Sequence, residues 1–141
     1  MDEVCYGLFV GTAEEAGNES LLREHSVDRV VSLTHREPET GFPAGVSVAR
    51  IEMKDGPRNE SARFKSAVEE LLSALRSRDV VLVHCSRGAS RSPSVAATAI
   101  AVHRGIGIDV AFEQVAARRE ACNPHATLVR RAATVSQELQ Q

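Results

Sequence analysis

A cysteine and an arginine six positions apart, Cys85 and Arg91, stand in the run His84-Cys85-Ser86-Arg87-Gly88-Ala89-Ser90-Arg91-Ser92. The thiolate of Cys is a strong nucleophile, and the planar guanidinium of Arg can bind two oxygens of a phosphoryl group at once. The spacing alone is weak, since chance produces it roughly one time in three in a chain of this Cys and Arg content. The flanking residues add specificity. Val80-Val81-Leu82-Val83 is wholly apolar and rich in β-branched residues, as expected of a central strand covered on both faces, and Ser92-Pro93 suits the first turn of a helix. A strand, a compact loop and a helix N-terminus together make an anion cradle, because backbone N–H groups converge and the helix dipole adds partial positive charge. Ser86, Arg87, Gly88, Ala89 and Ser90 would form it, with Gly88 permitting the unusual backbone angles. A Cys at its base would have a pKa of roughly 3.5 to 7.5, against about 8.5 when free, so Cys85 is expected to be ionised at neutral pH. Attack on phosphorus would then give a phosphocysteine.

The elements that must position this loop are legible from apolar periodicity. Residues 5–10 and 28–33 read as short strands, and 18–25 as a short helix that Asn18 can cap. Residues 35–45, with two Pro and two Gly, read as a surface loop. Residues 46–53 return to alternation, with Val46, Val48 and Ile51 toward buried faces. From 59 to 78, Phe64, Ala67, Val68, Leu71, Leu72 and Leu75 form one apolar stripe at helical spacing. After the Cys85 loop, a helix runs to His103 and ends at Gly105 and Gly107. Asp109 can cap the next, to about Arg119, and Pro124 opens a last one bearing Leu128, Ala132, Val135 and Leu139. Strands followed by helices predict an α/β fold with a central, mostly parallel sheet flanked by helices and Cys85 at the C-terminal end of a middle strand.

The 141 residues fit one domain, 1–141, with an apolar fraction of 43% and a charged fraction of 26%, ordinary for a soluble globular protein. A net charge of -2 gives no reason to expect a nucleic acid or an anionic membrane as partner. With neither a signal-like N-terminus nor a long apolar run, a soluble, cytoplasmic protein is expected. Three cysteines without CxxC spacing suggest no disulfide framework and no zinc site, so Cys5 and Cys122 read as structural. His25, His35 and His103 lack the partners of a metal site. Neither a metal nor a cofactor is expected.

The run from His84 to Ser92 matches the HCxxGxxRS signature of the cysteine-based protein tyrosine phosphatase superfamily, and Ser90-Arg91-Ser92 resembles its dual-specificity branch. Tyr6-Gly7-Leu8-Phe9-Val10-Gly11 is similar to that branch's opening strand, residues 27–34 to its next strand, and Ala111 and Arg119 with Pro124 to its helical end. The resemblance implies that Cys85 is the nucleophile, Arg91 the phosphate clamp and residues 86–90 the cradle. It further implies that Ser92 hydrogen-bonds the sulfur and eases release of the phosphoenzyme, and that His84 orients the loop and tunes the thiol. The family takes its general acid from an upstream Asp. Asp55, in Lys54-Asp55-Gly56-Pro57, is chosen, with Glu52 and Glu60 as rivals.

One departure stands out: the branch usually reads Pro-Asn near the last helix, where this chain reads Pro124-His125 with Asn123 before the Pro. Arg87 could reach toward additional phosphates on a substrate or simply be solvated. The resemblance predicts metal-independent hydrolysis of phosphotyrosine and phosphoserine or phosphothreonine in a phosphorylated protein substrate, at a shallow site. Other readings are the same fold acting on a phosphoinositide or an RNA end, a rhodanese-like or arsenate-reductase-like thiol enzyme, and a phosphate-binding pseudophosphatase.

Overall fold

The computed structural model describes residues 1–54 and 60–140. Five strands form one sheet: β1 (Asp2–Cys5), β2 (Leu8–Gly11), β3 (Arg29–Ser32), β4 (Ser47–Arg50) and β5 (Val81–His84). The order across the sheet is β1-β2-β5-β3-β4. Three of the four pairings are parallel, and only β1 runs antiparallel to its neighbour β2. The expected mostly parallel sheet is present, with β5 in the middle.

The apolar run at Val80 becomes the central strand because both faces of β5 are covered. Val81 and Val83 point into the larger core, between the sheet and helices α3 (Ser61–Arg76), α4 (Arg91–Arg104), α5 (Ile108–Arg118) and α6 (Ala126–Gln140). Leu82 points to the other face, where Phe9, Val30, Ala16 and Leu22 close a smaller core under α1 (Ala13–Ala16) and α2 (Glu19–Glu24). Each such side chain contributes roughly 2 kcal/mol of burial. On α3, the six residues of the expected stripe are all buried. In α4, every residue from Ser92 to Ala101 is buried, and its alanines let α3, α5 and α6 pack closely around it.

Several elements differ from the sequence reading. The strand expected over 5–10 is a hairpin, β1 and β2, because Gly7 at φ +82° turns the chain back. Helix α1 was not anticipated, although Thr12 and Glu15 form a reciprocal capping box at its start. The cap of α5 is Gly107, with Asp109 in the first turn, where it favours the helix dipole instead. The last helix begins at Ala126, two residues past Pro124. On β4, Val48 is only half-buried, as suits an edge strand. Asn18 caps α2 as expected, accepting from Leu21 N–H at 3.1 Å. Among the described residues no helix is long and apolar enough to cross a membrane.

Candidate active site

Strand β5 delivers Cys85 to the C-terminal edge of the sheet, where parallel sheets bind ligands, and α4 starts at Arg91 after a five-residue turn. The Cys85 thiol is buried, with 2% of the residue exposed. Two groups from the first turn of α4 approach its sulfur: Ser92 Oγ at 3.2 Å and the Ser92 backbone N–H at 3.5 Å. A hydroxyl and the N-terminus of a helix thus both meet at the sulfur.

Ser90, in the cap position of α4, does not use its side chain to cap that helix. Its Oγ accepts instead from the His125 backbone N–H at 2.8 Å, while the Asn123 N–H donates to the Ala89 carbonyl at 2.6 Å. The segment before α6 therefore holds the loop through its backbone. His125 turns its ring the other way, Nδ1 accepting from Thr127 N–H at 3.1 Å, and so caps α6. The substitution of His for the usual Asn is thus compatible with a held loop.

Arg91 is half-buried and braced at two points. Nη1 donates to the Met53 carbonyl at 2.9 Å, and Nη2 to Ser86 Oγ at 3.2 Å. The guanidinium is thereby tied to one side of the loop, as a bidentate clamp requires. On the far side of the loop, Ala13 at the start of α1 donates its N–H to the Ser86 carbonyl at 3.3 Å. Ser86 and Arg87 are exposed, and Gly88 is buried.

His84 is wholly buried at the end of β5, its Nδ1 lying 3.4 Å from the Cys85 carbonyl. Burial pushes its pKa down to about 4, the Arg91 charge adds to the effect, and the Cys85 carbonyl opposes it. The ring is neutral at pH 7. Its Nε2 has no hydrogen-bond partner among the described residues, and the Phe42 ring packs at 6.1 Å between centroids.

One further residue shapes the site. Arg119, which the sequence suggested only as a family mark, is 5% exposed and turned into the back of the loop. Nε donates to the Gly88 carbonyl at 2.6 Å, Nη2 to the Arg87 carbonyl at 3.2 Å, and Nη1 to both Asp2 at 2.9 Å and the Val10 carbonyl at 3.2 Å. No local pattern marks that role, because the partners of Arg119 lie 31 and 117 residues away in the chain. Gly88 sits at φ +64°, and a Cβ there would run into the Arg119 guanidinium and lie 2.7 Å from the Gly11 carbonyl.

Asp55 lies outside the described residues. Its two rivals are engaged elsewhere. Glu52 pairs with His35 Nδ1 at 3.1 Å, and that hydrogen bond holds its carboxyl below the usual range, opposite to what a proton donor needs. Glu60 pairs with Arg63 at 3.3 Å at the start of α3. Among the described residues, no group of three His, Cys, Asp or Glu could hold a metal ion.

Comparison with known proteins agrees with this geometry. Residues 8–137 match the family model for the dual specificity phosphatase catalytic domain. Human dual specificity phosphatase 28 is 30% identical over 123 residues, covering 86% of this chain and 69% of that protein. The Arabidopsis thaliana dual specificity protein phosphatase 1B is 27% identical over 126 residues, covering 89% and 75%. The crystal structure of human DUSP28 superposes with a TM-score of 0.89 at 27% identity, covering 99% of this chain and 98% of that one.

Proposed function

The chain belongs to the dual specificity phosphatase family, and from that membership we propose how its own residues carry out the hydrolysis. It is a cysteine-based protein phosphatase acting on phosphorylated proteins. The Cys85 thiolate attacks phosphorus, forming an S–P bond as the P–O bond to the substrate breaks. The departing oxygen takes a proton from a general acid, assigned from the sequence to Asp55. Water then attacks phosphorus, giving its proton to the resulting carboxylate, and the S–P bond breaks to return thiolate and inorganic phosphate. Arg91 and the backbone N–H groups of residues 86–90 bind the phosphoryl oxygens throughout, and the Ser92 hydroxyl donates a hydrogen bond to the leaving thiolate.

The observation that best supports this reading is the pair of Ser92 contacts to the Cys85 sulfur, beneath an Arg91 already braced against Ser86. A structural cysteine at a strand end needs neither. With the loop set at the sheet edge, phosphotyrosine and phosphoserine or phosphothreonine are both proposed as substrates. The test is hydrolysis of a simple aryl phosphate and of singly phosphorylated peptides. Activity should persist with chelator and vanish on Cys85→Ser; a Cys85→Ser enzyme keeping most of the parent rate would refute the mechanism.

A further inference from the structure

A groove of about 970 Å³ lies at the opposite end of the sheet from Cys85. It is separated from the catalytic loop by the length of β5, about 13 Å at 3.3 Å per residue. Phe9 and Leu75 reach its floor only by their edges, being buried in the core, and Val80 is half-buried, while Arg76, Arg78 and Arg104 are among its charged groups. Tyr6 stands beside it at the tip of the β1–β2 hairpin, 93% exposed, its ring packed against little.

Helix-end electrostatics accounts for part of this charge. Arg76 and Arg104 sit in the last turns of α3 and α4, where a cation favours the dipole. Arg78 is different. It lies beyond α3, at φ +61°, in the left-handed position of a Schellman end: Asp79 N–H donates to the Ala74 carbonyl at 3.0 Å and Arg78 N–H to the Leu75 carbonyl at 3.2 Å. Glycine takes that position without strain, and α4 does end on Gly105 at φ +66°. A bulky residue held there at a conformational cost points to a use for its side chain. The Arg78 guanidinium makes no hydrogen bond or ion pair within the described residues. Of the two carboxylates in the groove, Asp79 is neutralised by Arg29 at 2.8 Å, and Glu3 accepts from Gly7 N–H at 3.1 Å. The groove is therefore locally cationic on a chain of net charge -2.

We propose that this groove is a docking site for an extended acidic segment of a protein partner, with Arg78 and Tyr6 as its principal contacts. In an extended peptide, alternate side chains face opposite ways, so an apolar residue can pack on the exposed Tyr6 ring while intervening carboxylates meet the arginine rim. An exposed Tyr beside cations is the composition of a binding surface. The site is remote from the catalytic loop, so its occupancy is separable from turnover.

The test uses a fluorescein-labelled octapeptide of alternating Glu and Leu, titrated with the full chain and followed by anisotropy at 50 mM salt. Arg78→Gly should raise Kd at least fivefold, and Tyr6→Ser at least threefold. Arg78→Lys, which keeps the charge, should bind within twofold of the parent. Raising salt to 200 mM should weaken parental binding several-fold. Because Gly suits the left-handed position, Arg78→Gly should melt no lower than the parent, and its aryl phosphate hydrolysis should be unchanged. Parental affinity in a folded Arg78→Gly protein, or no binding by the parent, would overturn the proposal while leaving the phosphatase assignment untouched.

Discussion

Arg119 and Gly88 are fitted to one another: the guanidinium that donates to the Gly88 carbonyl also fills the space a Gly88 side chain would need. The catalytic loop is thus shaped from behind as well as from the helix in front. Gly88→Ala combines a left-handed φ with a collision against a hydrogen-bonded guanidinium that cannot swing away without stranding three backbone carbonyls. We expect a loss of stability of at least about 2 kcal/mol and a fall of more than about a hundredfold in kcat/KM. Thermal melting and steady-state hydrolysis of an aryl phosphate measure both.

Ser92→Ala removes the hydroxyl that lies 3.2 Å from the Cys85 sulfur. A hydrogen bond to a charged group contributes about 1.5 to 3 kcal/mol, so the step in which sulfur leaves should slow by about ten- to a hundredfold. The first step, in which sulfur attacks, depends on it less. Rapid-quench measurements should show a burst of released alcohol or phenol equal to the enzyme present; a slow, linear release from the start would place the Ser92 effect in the first step.

The depressed pKa of His84 makes stability pH-dependent in a definite direction. Its folded value, about 4, lies below the usual 6.5, so the unfolded chain binds more protons between those limits. Stability from this group is full above pH 6.5 and is lost as pH falls toward 4, by roughly 2 kcal/mol at pH 5. Urea midpoints should fall accordingly between pH 6.5 and pH 5, and His84→Gln should flatten the profile over that interval. An equally steep profile in the variant would assign the effect to other groups.

His125 links the two supports of the loop, capping α6 through Nδ1 and donating its backbone N–H to Ser90. Replacing a cap with Ala costs about 1 kcal/mol, and here the loss also loosens the residue that holds Ser90. His125→Ala should lower kcat several-fold with little change in KM. His125→Asn, which can also accept at a helix start, should recover most of it. Equal impairment of the two variants would show that capping is not what the ring supplies.

Much of this was legible from local pattern. The stripe from Phe64 to Leu75 and the apolar run through Val83 announce elements whose burial depends on their own periodicity. The Cys85 loop announces its chemistry because strand, glycine and helix start are contiguous. The misread parts have other causes. Within the run from Cys5 to Val10, Gly7 divides two strands whose apolar residues look continuous. Helix α1 is a single turn, too short for any period to register, and only its Thr12–Glu15 cap betrays it. The role of Arg119 rests on partners as distant in sequence as Asp2 and Gly88, and no local pattern encodes such a meeting.

The unbroken burial of α4 from Ser92 to Ala101 bears on how the enzyme fails. Amide protons in that helix can reach solvent only when the whole molecule opens, whereas the edge strands β1 and β4 can fray alone. Arg91 and Ser92 stand at the head of a helix buried without a break from Ser92 to Ala101. Fraying of β1 or β4 would then reach the chemistry only through the Asp2–Arg119 and Met53–Arg91 contacts, while the head of α4 holds until the cooperative transition.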